Sequence, residues 1–191
     1  MNRTIAVLGA GSWGTALAIL LARNGHAVRL WSRSSGLVDR LRREREHAAV
    51  HPGIALPEGV APTDDLGWAC EAAEAVVFVC ASHGVRELAS RARGTLRGRP
   101  VVVSAAKGIE QSTQKTMSDV LEEVLGADHA GQVASLSGPS FAREVASGMP
   151  TAVTAAAHSL PIAERVQALF HAPAFRVYTS TDLVGVEIGG A

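Results

Sequence analysis

Gly9, Gly11 and Gly14 stand in the run Ile5-Ala6-Val7-Leu8-Gly9-Ala10-Gly11-Ser12-Trp13-Gly14-Thr15, a G-x-G-x-x-G spacing between an apolar stretch and a helical one. That spacing suits a pyrophosphate. Gly9 lets the chain turn sharply off a strand, Gly11 lets backbone N–H groups approach the phosphates, and Gly14 lets the helix pack close. The anion would rest on the helix N-terminus, where free N–H groups and the helix dipole contribute about 0.3–2 kcal/mol per favourable contact. A dinucleotide is the ligand class this implies.

Three further groups of residues could act beside it. After the second apolar run comes Leu30-Trp31-Ser32-Arg33-Ser34, with no acid where an NAD-selective site places one on the adenosine ribose. Arg33 offers a planar, permanently charged fork for a 2′-phosphate or for stacking on adenine, so NADPH is the expected cofactor and NADH is not excluded. Its alternative role is the first solvated residue of a basic helix carrying Arg40, Arg42, Arg43 and Arg45. Lys107, in Ser104-Ala105-Ala106-Lys107-Gly108-Ile109-Glu110, follows an apolar run and precedes a glycine. Its amine would project over the strand ends and could hold an anionic or carbonyl-bearing substrate; the alternative is a surface loop lysine. In Leu136-Ser137-Gly138-Pro139-Ser140-Phe141-Ala142-Arg143-Glu144, Gly138 permits close backbone approach and Pro139 suits the first position of a helix. Ser140 adds a hydroxyl, making a second anion or polyol cradle, unless Ser137 and Glu144 serve only as caps. His83, beside a small polar turn, reads as a general acid or as an exposed cap.

Apolar, β-branched runs at 5–8, 27–31, 75–80, 101–103, 133–136, 151–154 and 175–178 predict the strands that carry these residues. Helical patterns lie between them at 12–24, 36–45, 63–72, 84–93, 113–125, 140–146 and 160–170, and 51–62, rich in Pro and Gly, reads as an irregular connection. Strands alternating with helices imply an α/β fold with a doubly wound, mostly parallel sheet and helices on both faces. Ligands bind such sheets at the carboxyl ends of the strands, where these motifs fall.

Composition agrees with a single core. The 191 residues are 47% hydrophobic and 19% charged, long enough for one sizeable domain. Lys plus Arg equals Asp plus Glu at 18 each, giving no basic surface for nucleic acid. No apolar run reaches membrane-spanning length and no signal peptide opens the chain, so a cytoplasmic location is expected. Cys70 and Cys80 read as reduced, small core residues, and the seven histidines show no metal-ligand spacing.

Taken together, Gly9-Ala-Gly-Ser-Trp-Gly-Thr-Ala-Leu-Ala18, Lys107-Gly-Ile-Glu110, Ser137-Gly-Pro-Ser-Phe-Ala142 with Glu144-Val145, and Gly185-Val-Glu-Ile-Gly-Gly-Ala191 closely resemble the bacterial NAD(P)-dependent glycerol-3-phosphate dehydrogenases, end to end. The resemblance implies a Rossmann-type NAD(P)-binding domain over residues 1–191 and reduction of dihydroxyacetone phosphate to sn-glycerol 3-phosphate for phospholipid synthesis. It places Ser12, Trp13, Arg33, Ser34, Lys107 and Ala142 on the cofactor and Lys107, Gly138 and Ser140 on the substrate. Members of the family continue beyond the Gly-Gly-Ala with a proton-donating lysine and a helical substrate domain. Neither is in this chain, so the residues at hand are expected to bind cofactor and form half a site, with little turnover alone. A homodimer is a possible assembly of the full-length protein. Ala81 stands where the family often has proline, which bears on the shape of that turn. Other readings are an NADPH-binding or redox-sensing module without chemistry and a 3-hydroxyacyl or ketopantoate-type reductase; the Lys107–Glu110 and Ser137–Ala142 motifs argue against the latter.

Overall fold

A computed structural model describes residues 3–190 of the chain. Its centre is strand β1 (Thr4–Leu8), whose Ile5, Ala6, Val7 and Leu8 are fully buried. Side chains alternate across a strand, and here both faces are covered. Ile5 and Val7 join one apolar cluster with helix α1 (Ser12–Arg23), while Ala6 and Leu8 join a second with helix α4 (Ser82–Arg93).

Eight strands form one sheet in the order β3-β2-β1-β4-β5-β6-β7-β8. From β2 (Ala27–Trp31) and β3 (Val60–Thr63) on one side, through β4 (Ala75–Phe78) and β5 (Val101–Ser104), to β6 (Val133–Ser137), neighbours are parallel. β7 (Thr151–Ala157) runs antiparallel to β6, and β8 (Phe175–Ser180) runs parallel to β7. The chain leaves β1 toward β2 and β3, then crosses back to β4 on β1's other edge. This reversal opens a crevice at the carboxyl ends of β1 and β4, the place where ligands enter such sheets. The remaining helices are α2 (Ser35–Glu44), α3 (Leu66–Cys70), α5 (Met117–Leu125), α6 (Ala142–Ser147), α7 (Leu160–Phe170) and α8 (Leu183–Ile188).

The fold is the doubly wound, mostly parallel sheet expected, with local differences at several elements. The irregular connection ends in a strand: β3 carries Pro62, which the sheet accommodates because β3 is an edge strand paired only with β2. The helix expected from 63 starts three residues later, since Thr63 closes β3 and Asp65 caps α3 by accepting from the Trp68 N–H at 3.0 Å. Pro139 does not begin a helix; α6 starts at Ala142, with the extended Phe141 before it. The strand expected to reach Cys80 ends at Phe78, and α8, absent from the expected helices, follows β8.

Candidate functional site

The turn after β1 shows why each glycine stands where it does. Gly9 has φ +131°, and a Cβ there would lie 2.4 Å from the Val79 carbonyl oxygen. A Cβ on Gly14 would lie 1.8 Å from the Gly9 carbonyl oxygen, so only glycine lets α1 sit this close to the turn. Gly11 differs, for a Cβ on it meets nothing within 4 Å. Gly11 is the N-cap of α1, and no side chain caps that helix. The first N–H groups of a helix have no partner within it, so those of α1 remain available at an open surface. An open approach and uncapped donors suit a dinucleotide pyrophosphate.

From this turn one cavity, of about 370 Å³, extends along the ends of β2 and β4 and is lined by Gly9, Gly11, Trp31, Arg33, His83 and Arg91 among others. The exposed Arg33 and the exposed Arg91, whose guanidinium carbon lies 5.5 Å from the Trp31 ring centre, bring two cations to that end. Ser34 follows Arg33 at the start of α2. Its hydroxyl accepts from the Leu37 N–H at 3.3 Å and caps α2, and Ser34 does not line the cavity.

A second cavity, of about 460 Å³, lies on the other side of the turn, walled by Ser12, Trp13, Cys80, Lys107, Phe141 and Ala142. Burial pushes the Cys80 thiol up to about 11, so it is not a thiolate near neutral pH. A third, of about 370 Å³, adjoins it through Lys107 and is lined by Ser137, Gly138, Thr154, Val186, Gly189 and Gly190. Lys107 therefore borders both cavities. Its Nζ donates to the Gly138 carbonyl at 3.2 Å, and the Ser140 Oγ donates to that same oxygen at 3.3 Å. Gly138, φ +154°, reaches this place because its Cα lies against β7: a Cβ would fall 2.9 Å from the Val153 Cα. The loop carrying Lys107 is tied down by Glu110, which accepts from Arg86 Nε at 2.9 Å and Nη2 at 2.8 Å and from the Thr113 hydroxyl at 2.6 Å. Arg86 and Thr113 hold the Glu110 carboxyl at about 2, below its ordinary range.

The structure thus places Gly9, Gly11, Ser12, Trp13, Arg33, Lys107, Gly138, Ser140 and Ala142 along three adjoining cavities, with Gly14 packed behind the turn against the Gly9 carbonyl. Two groups of residues escaped sequence reasoning. His47 and His51 meet the carbonyls of Ala10 and Ser12, across separations no local spacing reveals. Glu187 lies within the Gly185–Ala191 motif, but nothing there marks it as a buried anchor. Its Oε1 accepts from the Ser118 N–H at 3.1 Å and its Oε2 from the Ser118 hydroxyl, which fixes α8 to the N-terminal turn of α5. Burial raises its carboxyl pKa while the Ser118 contacts oppose that rise. Among the described residues no helix is long and apolar enough to cross a membrane.

Comparison with known proteins matches this geometry to a family. Residues 4–163 match the model described as NAD-dependent glycerol-3-phosphate dehydrogenase N-terminus. The glycerol-3-phosphate dehydrogenase [NAD(P)+] of Geobacter sp. strain M21 is 49% identical over 191 residues, covering 100% of this chain and 57% of the relative. Among solved structures, the glycerol-3-phosphate dehydrogenase of Coxiella burnetii superposes with a TM-score of 0.91 at 34% identity, covering 99% of this chain and 57% of that one. The enzyme of Saccharomyces cerevisiae gives 0.86 at 26% identity, covering 100% and 60%. The chain spans little more than half the length of these relatives. On its glycine turn, its sheet order and these matches, the chain belongs to the family of N-terminal domains of NAD-dependent glycerol-3-phosphate dehydrogenases.

Proposed function

We propose that this chain binds NADPH, and NADH more weakly, along the crevice from Arg33 to Ala142, and that it forms one wall of a site reducing dihydroxyacetone phosphate to sn-glycerol 3-phosphate for phospholipid synthesis. Gly11 and the first N–H groups of α1 hold the pyrophosphate, Arg33 meets the adenosine 2′-phosphate, and Trp13, Phe141 and Ala142 wall the nicotinamide end. A bound nicotinamide would supply a hydride to the substrate ketone carbon, and the resulting alkoxide would take its proton from a donor outside this wall of the site. The Lys107 ammonium turns from the Gly138 carbonyl toward the substrate oxygen and offsets its developing negative charge. Ser140, already directed at the same carbonyl, hydrogen-bonds the substrate's polar atoms.

The observation that carries this reading is the convergence of Lys107 and Ser140 on one carbonyl where the two cavities adjoin. The test is dihydroxyacetone phosphate-dependent oxidation of NADPH by the protein that carries this chain, with and without Lys107→Met. Turnover that Lys107→Met lowers about 100-fold or more supports the reading, a loss on the scale of one electrostatic donor. Binding of NADPH with no turnover would reduce the function to a cofactor-binding module. Reduction of a 3-hydroxyacyl precursor or ketopantoate instead would refute the substrate assignment.

A further inference from the structure

Two buried histidines outside the crevice reach the cofactor turn from behind. His47 is 8% exposed and His51 is fully buried. Both come from the connection between α2 and β3. His47 Nε2 lies 3.2 Å from the Ala10 carbonyl oxygen, and His51 Nε2 lies 2.7 Å from that of Ser12. A carbonyl only accepts, so in both rings Nε2 carries the proton and donates it. The connection is itself braced: the His51 N–H donates to the His47 carbonyl at 2.8 Å, and the Gly53 N–H donates to Glu46 Oε1 at 2.8 Å. Burial holds the His47 imidazole below its ordinary pKa, in the neutral form with a single N–H.

The consequence follows from peptide geometry. None of the described peptide bonds is cis, and in a trans peptide C=O and N–H point in opposite directions. Drawing the Ala10 carbonyl back toward His47 turns the Gly11 N–H away from the buried side, toward the surface where Gly11 borders the crevice. Holding the Ser12 carbonyl turns the Trp13 N–H the same way. Ala10 matters more, because it precedes α1 and no helical hydrogen bond fixes its peptide plane.

We infer that His47 and His51 are positioning residues for the dinucleotide pyrophosphate, each fixing one backbone N–H donor through the carbonyl of the same peptide. The inference rests on the cofactor reading above. Pre-set donors bind a charged ligand without reorganising, so loss of either anchor weakens the pyrophosphate contact and leaves the adenosine end intact.

The test uses two ligands, NADPH and adenosine 2′-monophosphate, which carries the adenosine and its 2′-phosphate but no pyrophosphate. Each histidine is replaced by Gln, whose amide nitrogen reaches about as far as imidazole Nε2, and by Asn, which falls short; both variants keep the site polar. Dissociation constants are read from tryptophan fluorescence. The expected result is that His47→Asn and His51→Asn each weaken NADPH about 10- to 100-fold, the scale of one charge-assisted hydrogen bond. The Gln variants recover most of that loss, and adenosine 2′-monophosphate binds all forms alike. Unchanged NADPH affinity in the Asn variants, or equal weakening of both ligands, would overturn the inference. A wild-type chain that binds neither ligand would overturn the cofactor reading with it.

Discussion

Alanine at Gly11 and alanine at Gly14 should do opposite things to the same turn. Helix propensity favours alanine over an interior glycine by about 1 kcal/mol, so Gly14→Ala would stabilise the chain if propensity decided. Packing decides instead. The new Cβ would lie 1.8 Å from the Gly9 carbonyl oxygen, against a normal carbon–oxygen contact of about 3.3 Å, so α1 and the turn must separate by roughly 1.5 Å. Both partners are backbone, and overpacking of this kind costs about 1–3 kcal/mol. For a domain of this size that lowers Tm by roughly 2–12 °C. Gly11→Ala meets open space at φ −75°, an ordinary angle for alanine, so Tm should move little, by less than about 1 kcal/mol in stability. Its methyl group instead stands where the pyrophosphate approaches, and NADPH affinity should fall about 10- to 100-fold, as when one charge-assisted contact is lost. Calorimetric melts and NADPH titrations of both variants form the assay. A Gly11→Ala chain that binds as the wild type does would remove the pyrophosphate from this turn, and a Gly14→Ala chain that melts higher would show that helix propensity outweighs the backbone contact.

Three other outcomes follow. Arg33→Ala should weaken NADPH by about 10- to 100-fold and leave NADH nearly unchanged; an unaltered ratio of the two affinities would remove its 2′-phosphate role. Glu187 has a folded pKa raised by burial, so the folded state binds the proton more tightly and its charge costs stability above that raised pKa, a cost relieved as pH falls toward 4.5. Glu187→Gln, able to accept from the Ser118 N–H and donate to its hydroxyl, should melt at or above the wild type at neutral pH, whereas Glu187→Ala should lose about 1–3 kcal/mol by leaving those groups unpaired. A Gln variant as destabilised as the Ala variant would contradict this. Glu110 and Glu123 are held at about 2 by Arg86, with Thr113 and Lys115 assisting, so their contribution is present above about 4.5 and lost as pH falls toward 2. Arg86→Met should flatten that part of the acid melting curve, and an unchanged curve would count against the network.

Where the sequence was legible, the cause was local. Ile5 to Leu8 are apolar without alternation because both faces of β1 are covered, and the glycine spacing after them reports contacts within a single turn. Helix α7 shows the boundaries its periodicity predicts, with Pro161 in its first turn. The rest depended on partners far along the chain. β3 hides in a Pro- and Gly-rich stretch because only its pairing with β2 makes it a strand. Ser34 is placed on the cofactor by the family resemblance alone, and that its hydroxyl also caps α2, accepting from the Leu37 N–H at 3.3 Å, depends on where that helix begins. His47, His51 and Glu187 gain their roles from Ala10, Ser12 and Ser118, which no periodicity connects to them. The convergence of Lys107 and Ser140 on the Gly138 carbonyl likewise needs β5 and β6 laid side by side.

Everything proposed above requires that the glycine turn and its flanking cavities hold a nicotinamide dinucleotide. Isothermal titration of the chain with NADPH tests it most directly. One saturable site per chain is expected, displaced by NADH and weakened in Gly11→Ala; the absence of saturable binding by either dinucleotide would rule the site out.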